Sequence, residues 1–469
     1  MNKEVVYISD FFVNEIIGGA ELNDDELITL LSENGYKINK LKSKDVTIDF
    51  LKKNHDSFFI ISNFIQLHSD CKDYLMDLNY IIYEHDRKYL KKRNPLFYKD
   101  FKAPMNEIIN YFFYKNAVKI ISQFSYHKKI IQDNLKLNNI LNISGNLWSV
   151  ATLEKIKELS KNEKQKKCSI LDSSIIHKNT AGAIKFCLNK KLDYQLIKGD
   201  YESFLKSMSQ NEKFIFFPKS PETLSRVVVE ARMLGCSVVT NQMVGATYEE
   251  WFKLKGEELI EYFFNKRIEI FSILSDLIDN CKPKSKKPLV SIISTFYTAE
   301  EFLNGFLENI TSQTIFDDCE LVVVDSGSPG KEQEIMRKYC EKYDNINYIR
   351  YGEKFPPTLG HNIAMANSNA KYIAWAMLDD RKSPDCLEVL YNELENNKHI
   401  DLVYGDCLVT SNKNETFKET KSKTLSEHSI PQFSHENMIK CLPGPMPVWT
   451  TRMIDKAGFF DDIGHHLGS

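Results

Sequence analysis

Short apolar runs alternate along the chain with stretches whose apolar positions recur at helical spacing. Val5–Ser9, Ser57–Ser62, Tyr80–Glu84 and Val118–Ser122 are rich in β-branched and aromatic side chains and read as strands, with amphipathic segments at Glu21–Asn34 and Met105–Asn116 between them. A second series holds Cys168–Leu171, Tyr194–Ile197, Lys213–Pro218 and Cys236–Thr240. A third holds Val290–Ile293, Glu320–Asp325, Ile346–Ile349, Tyr372–Trp375 and Leu402–Tyr404. This alternation predicts an α/β fold of βαβ units on mainly parallel sheets.

Breaks in the pattern divide the chain. Cys281–Pro288 packs two prolines and four lysines into a run that cannot bury a face, and an apolar strand restarts at Leu289. The Lys/Glu-rich stretch 152–167 is weakly patterned and reads as the separator of the first two series, which join near 146–167. The expected organisation is two small Rossmann-like lobes over 1–150 and 151–280, a linker at 281–288 and a third α/β unit over 289–469. Pro431, Pro443, Pro445 and Pro447 mark loops in the last stretch.

Composition narrows the function classes. Of 469 residues, 42% are hydrophobic, which is ample for more than one core. Lys+Arg number 61 against 64 Asp+Glu, a net charge of -3 that argues against chain-wide attraction to nucleic acid. Ten cysteines occur without a CxxC pair or a Cys/His cluster, so buried reduced thiols are expected rather than zinc or disulfides. The opening Met1–Ile8 lacks a leader-like apolar run, and no stretch approaches the ~18 apolar residues of a membrane span. A cytoplasmic protein without a transmembrane segment is the expectation. The Lys282–Lys287 run is either a solvated linker or a peripheral contact for anionic lipid.

Ligands of open α/β sheets bind beyond the carboxyl ends of the strands. Three such ends in the third unit are polar: Thr295–Tyr297, Asp325–Ser328 and Asp379–Asp380. Carboxylates converging there would repel one another unless a cation sat between them, and Mg²⁺ or Mn²⁺ with a phosphate-bearing substrate meets that need.

The wording of these pieces resembles the family 2 glycosyltransferases of GT-A fold, over about 288–469. Val290–Tyr297 resembles the opening strand and nucleotide-contacting loop, Leu321–Ser328 the second-strand signature, Gly360–Ala366 the helix before the metal strand, and Tyr372–Pro384 the metal strand. The resemblance implies a nucleotide-sugar donor (UDP-, GDP- or dTDP-sugar) held by Thr295, Tyr297, Asp325 and Asn362. It further implies Asp379 as metal ligand, Asp379 and Asp380 as catalytic carboxylates, and Mg²⁺ or Mn²⁺ as cofactor. The family's first metal-loop acid falls here on Met377, a poor Mg²⁺ ligand. The family's catalytic base follows a segment like Ala457–Asp462, so with a last residue at Ser469 the resemblance implies a chain cut short at its C-terminus. Asp461 and Asp462 match the loop before that base, and His465 and His466 are alternative bases.

The first half carries a separate resemblance, to retaining family 4 glycosyltransferases of GT-B fold. Pro221–Thr240 resembles their Glu-x7-Glu region, which implies Glu222 near the sugar and Glu230 on the ribose, on a helix starting after Phe217–Pro218. Gly18 and Gly19 resemble the glycine-rich turn beside the donor, Lys178 a phosphate-binding lysine, and His85 follows a strand toward the cleft. One helix-like stretch lies between Tyr194–Gly199 and Lys213, where that family spends an extra strand and helix, so the second lobe is compact.

Together these readings describe a GT-B-like half fused to a GT-A half that moves sugars onto a glycan or lipid-linked acceptor by inverting displacement, as in polysaccharide biosynthesis. The alternatives are a non-catalytic nucleotide- or glycan-binding protein with degenerate folds, and a nucleotidyltransferase.

Overall fold

The computed structural model describes residues 4–410, 412–420, 426–428, 434–438 and 444–461. The chain divides into two compact units: Met1–Ala103 with Phe113–Lys284, and Pro104–Phe112 with Ser285–Ser469.

The first unit contains two parallel sheets. One is ordered β2-β1-β3-β4-β5-β6, from β1 (Glu4–Ser9), β2 (Lys37–Lys42), β3 (Phe58–Ile61), β4 (Tyr80–Tyr83), β5 (Lys119–Ser122) and β6 (Ile140–Asn142). Its central strands are almost wholly buried, as strands covered on both faces must be. The other is ordered β10-β9-β7-β8, from β7 (Gln165–Leu171), β8 (Tyr194–Ile197), β9 (Asn211–Phe216) and β10 (Ser237–Thr240). A single helix, Tyr201–Ser209, connects β8 to β9.

The stretch expected to separate the first two series does lie between β6 and β7, and it holds the helix Val150–Leu159, which buries Leu153, Ile156 and Leu159 in the second-sheet core. Two expectations need correction here. The helix expected over Met105–Asn116 is only a turn at Met105–Glu107 and a short helix at Tyr111–Lys115, separated by Asn110 in a left-handed conformation (φ 54°). Lys284 is not simply a solvated linker residue, because its ammonium donates to the carbonyls of Met76 (2.8 Å) and Asn116 (2.7 Å). One large element was not anticipated at all. The helix Glu257–Asp279 places Leu259, Ile260 and Phe263 in the second-sheet core and Ile270, Leu274 and Ile278 in the first-sheet core.

The second unit is a mixed sheet, ordered β13-β12-β11-β14-β18-β15. Its members are β11 (Val290–Phe296), β12 (Glu320–Asp325), β13 (Ile346–Arg350), β14 (Tyr372–Trp375), β15 (Leu402–Val403) and, after the small antiparallel pair β16 (Cys407–Val409) and β17 (Ser426–His428), β18 (Val448–Thr450). Strands β13, β12, β11 and β14 run parallel, while β18 is antiparallel to β14 and β15. The helix Pro357–Asn367 lies tight against β11: a Cβ built on Gly360 would meet Thr295 Oγ1 at 2.1 Å.

Residues 104–112 complete this unit. The amides of Asn110 and Phe112 donate to the carbonyl (2.9 Å) and carboxylate (2.7 Å) of Asp455, and the Tyr111 ring packs edge-on against Phe459 at 5.0 Å. Gly458 is required at this junction. Its φ is +85°, and a Cβ there would meet the Asn106 carbonyl oxygen at 2.3 Å. Gly458→Ala is expected to destabilise the second unit by about 2 kcal/mol, combining a positive-φ penalty with a clash against backbone. Urea unfolding of the second unit against wild type measures this.

All nine described cysteines are free, and five of them, Cys71, Cys168, Cys187, Cys236 and Cys319, are buried. Among the described residues no helix is long and apolar enough to cross a membrane.

Candidate functional site

Strand β14 delivers Asp379 and Asp380 to a cavity of about 890 Å³ in the second unit, whose lining also includes Arg381, Asp406 and Asn414. Asp379 is exposed and Asp380 half-buried. Burial, reinforced by the neighbouring Asp379 charge, pushes the Asp380 carboxyl up to about 6. Arg381 donates to the carbonyls of Leu378 (2.7 Å) and Asp380 (2.8 Å) and to Asn414 Oδ1. Lys382 is buried beneath the loop, its ammonium on the Trp375 carbonyl at 3.0 Å. Met377, at the position of the expected first acid, accepts the Trp375 indole N–H on its sulfur at 3.0 Å. Among the described residues no group of three His, Cys, Asp or Glu side chains is placed to hold a metal ion.

The other candidates of this unit lie elsewhere. Asp325 is fully buried and accepts from the Ser328 amide (2.8 Å), the Tyr348 hydroxyl (2.7 Å) and Arg350 Nε (3.1 Å). Thr295 donates to the Val324 carbonyl at 3.0 Å, and exposed Tyr297 carries the Lys354 ammonium 4.2 Å above its ring. Asn362 is fully buried and exchanges two 2.9 Å hydrogen bonds with the Phe460 backbone, so its amide anchors the 458–460 segment. None of these four lines the Asp379 cavity. β11 lies between the strands of Asp325 and Asp379, and the Asp325 carboxylate faces Tyr348 and Arg350 of β13. Asp462, His465 and His466 lie outside the described residues.

His361 is also buried in this unit, 4.7 Å edge-on to Trp375, with Nε2 unbonded. Burial lowers its pKa from 6.5 to about 4. Below pH 6.5 the unfolded chain takes up a proton that the folded unit refuses until near pH 4. Stability is thus expected to be unaffected by this group above pH 6.5 and to fall by up to about 3 kcal/mol as pH drops to 4. Urea midpoints across that window should be flatter in His361→Gln.

In the first unit, residues of both sheets enclose a cavity of about 700 Å³ that brings Gly18, Gly19, His85, Lys178, Glu222 and Glu230 together. Gly18 and Gly19 open the helix Gly19–Glu33, and a Cβ on Gly19 would touch the Arg226 side chain at 3.4 Å. Lys178 donates to both oxygens of Glu222, at 3.0 and 2.9 Å. The helix expected after Pro218 begins only at Arg226, after Ser225 in a left-handed conformation. Glu222 therefore precedes the helix, in a loop bridged to Val244. Glu230 is on the helix but 1% exposed, and its Oε1 accepts from Trp148 Nε1 (2.9 Å) and the Tyr201 hydroxyl (2.7 Å). Sequence reasoning missed Gln123, Asn146, Trp148, Tyr201 and Arg226, which come from four separate segments.

Residues 291–460, within the second unit, match the family model described as glycosyl transferase family 2. An uncharacterised glycosyltransferase of Methanocaldococcus jannaschii is 28% identical over 161 residues, 34% of this chain and 56% of that protein. A teichoic acid poly(glycerol phosphate) polymerase of Staphylococcus epidermidis is 33% identical over 92 residues, 19% of this chain and 13% of that protein. The chain thus spans little more than half the length of the first relative and far less of the second. Among solved structures, S. aureus TarS aligns at 19% identity with a TM-score of 0.31, over 37% of this chain and 50% of that one.

Proposed function

We propose that the second unit is a metal-assisted inverting glycosyltransferase acting on a nucleotide-sugar donor and a glycan or lipid-linked acceptor. The observation that carries this reading is the Asp379–Asp380 pair, delivered by β14 to a cavity within the family 2 domain.

The residues present fit Mg²⁺ or Mn²⁺. Their donors are hard oxygens, the kind these ions take. Asp379, with Asp380 beside it, would hold the ion. When bound, the ion supplies positive charge to the departing diphosphate. The acceptor oxygen attacks the anomeric carbon, the bond to the diphosphate breaks with its electron pair, and the hydroxyl proton passes to a general base. Asp325 contributes by fixing Tyr348 and Arg350 at the adjoining strand ends.

For the first unit the reading is a second nucleotide-sugar site in the 700 Å³ cavity, a volume usual for small-molecule sites. Gly18 and Gly19 would approach the donor, Lys178 its phosphate, Glu222 its sugar and Glu230 its ribose. One observation favours a non-catalytic binding role for this half: Lys178 is already closed on Glu222, and Glu230 is enclosed by its donors.

Nucleoside diphosphate release from a panel of UDP-, GDP- and dTDP-sugars, with Mn²⁺ and with chelator, tests the assignment. Metal-dependent turnover supports the transferase. Nucleotide binding without turnover of any donor selects the binding protein.

A further inference from the structure

One wall of the first unit's cavity is a continuous hydrogen-bond chain running from the first sheet's side to the second's. Asp24 Oδ1 lies 2.8 Å from His85 Nε2, and His85 Nδ1 lies 2.8 Å from Gln123 Nε2. Asn146 Nδ2 donates to Gln123 Oε1 at 2.8 Å, and Arg226 Nη1 donates to Asn146 Oδ1 at 2.6 Å. His85, Gln123, Asn146 and Arg226 all line the cavity.

Each link has a direction. A guanidinium carries donors only, so Asn146 must present its oxygen to Arg226. The Asn146 NH₂ then faces Gln123, which must meet it with its own oxygen and turn its NH₂ to His85. Only an unprotonated Nδ1 can accept that bond, so the ring proton sits on Nε2, where Asp24 accepts it. The Glu84 carbonyl, 3.4 Å from Gln123 Nε2, acts in the same sense at the limit of hydrogen-bond length. Arg226 is itself held over the Trp148 ring, its Cζ 4.3 Å from the ring centre, and by a second Nη1 bond to the Leu147 carbonyl at 2.7 Å.

We propose that Arg226 is a positioning residue whose donor-only guanidinium fixes the polarity of this relay and thereby holds His85 in the Nε2–H tautomer with a bare Nδ1. The relay dictates what the wall offers a ligand. Both His85 nitrogens and Arg226 Nη1 are committed within the wall, while the buried Arg226 Nε makes no hydrogen bond and stands 3.6 Å from Glu230 Oε1. A proton on Nδ1 requires both amides to reverse, which sets the Asn146 NH₂ against the guanidinium.

The test is the ring ¹⁵N spectrum of His85 in the full chain with labelled histidine, assigned by its loss in His85→Gln. Wild type is expected to show a pyridine-like Nδ1 and a protonated Nε2. Arg226→Gln, whose amide can donate or accept, is expected to give a tautomer mixture, and Arg226→Lys, again donor-only, to restore the wild-type pattern. Gln123→Glu reads the relay independently: the new carboxylate can only accept, so Nδ1 must become protonated at neutral pH. A protonated Nδ1 in wild type, an unaltered spectrum in Arg226→Gln, or a bare Nδ1 in Gln123→Glu would each overturn the proposal. Should Arg226→Gln fail to fold, the wild-type and Gln123→Glu spectra decide.

Discussion

Asp379→Ala is expected to lower metal-dependent nucleoside diphosphate release by the second unit about 10²–10³-fold, with little effect on its unfolding. The size follows from the chemistry. Breaking the sugar–diphosphate bond puts new negative charge on the leaving group, and a preorganised cation at that point is worth several kcal/mol of barrier. Asp379 is the exposed acid of the pair, so its carboxylate is the one solvent and ligand reach first. Met377 offers no substitute, since its thioether is engaged by Trp375 and is a soft ligand. Its exposure also predicts a small stability change, which separates a lost function from a lost fold. Initial rates across a Mn²⁺ titration make the measurement. Undiminished turnover in the variant at saturating metal would remove Asp379 from the reaction and, with it, the proposed site.

What could be read from the chain and what could not has a physical pattern. Strands buried on both faces, such as Phe58–Ile61 and Leu321–Val324, stand out because every position is apolar. Strand β2 does not: as a sheet edge it reads Lys-Ile-Asn-Lys-Leu-Lys, half solvated, and resembles a loop. The start of the Arg226 helix was misplaced because Ser225 adopts a left-handed backbone that the Pro221–Ser225 residue types do not announce. Asp379 and Asp380 are conspicuous as consecutive acids after an apolar run. The partners of Asp325 are not, since Tyr348 and Arg350 reach it only through the β12–β13 register that pairs Asp325 with Arg350. The cavity of the first unit shows the same limit. Its glycines and glutamates carry motif-like wording, whereas the amides and aromatics that bind them together are gathered by folding alone.

Glu230→Ala is expected to cost the first unit about 3–5 kcal/mol, the largest loss of stability predicted for this chain. Glu230 is 1% exposed, and its Oε1 takes the Trp148 indole N–H and the Tyr201 hydroxyl while Arg226 Nε stands 3.6 Å away. Truncation strands two buried donors and leaves the Arg226 guanidinium without its nearby counter-charge, and stranded groups cost far more than the bonds contributed. Trp148 lies between β6 and the helix Val150–Leu159, so the damage spreads to the segment that carries the chain from the first sheet to the second. Glu230→Gln separates the two contributions. It keeps an acceptor for Trp148 and Tyr201 and loses only the charge beside Arg226, so a smaller cost of about 1–2 kcal/mol is expected. Urea unfolding of wild type and both variants, followed through tryptophan fluorescence, gives the ordering. Equal midpoints for Glu230→Ala and wild type would mean that water replaces the carboxylate without penalty, and that the buried cluster does not hold the second sheet's helix in place.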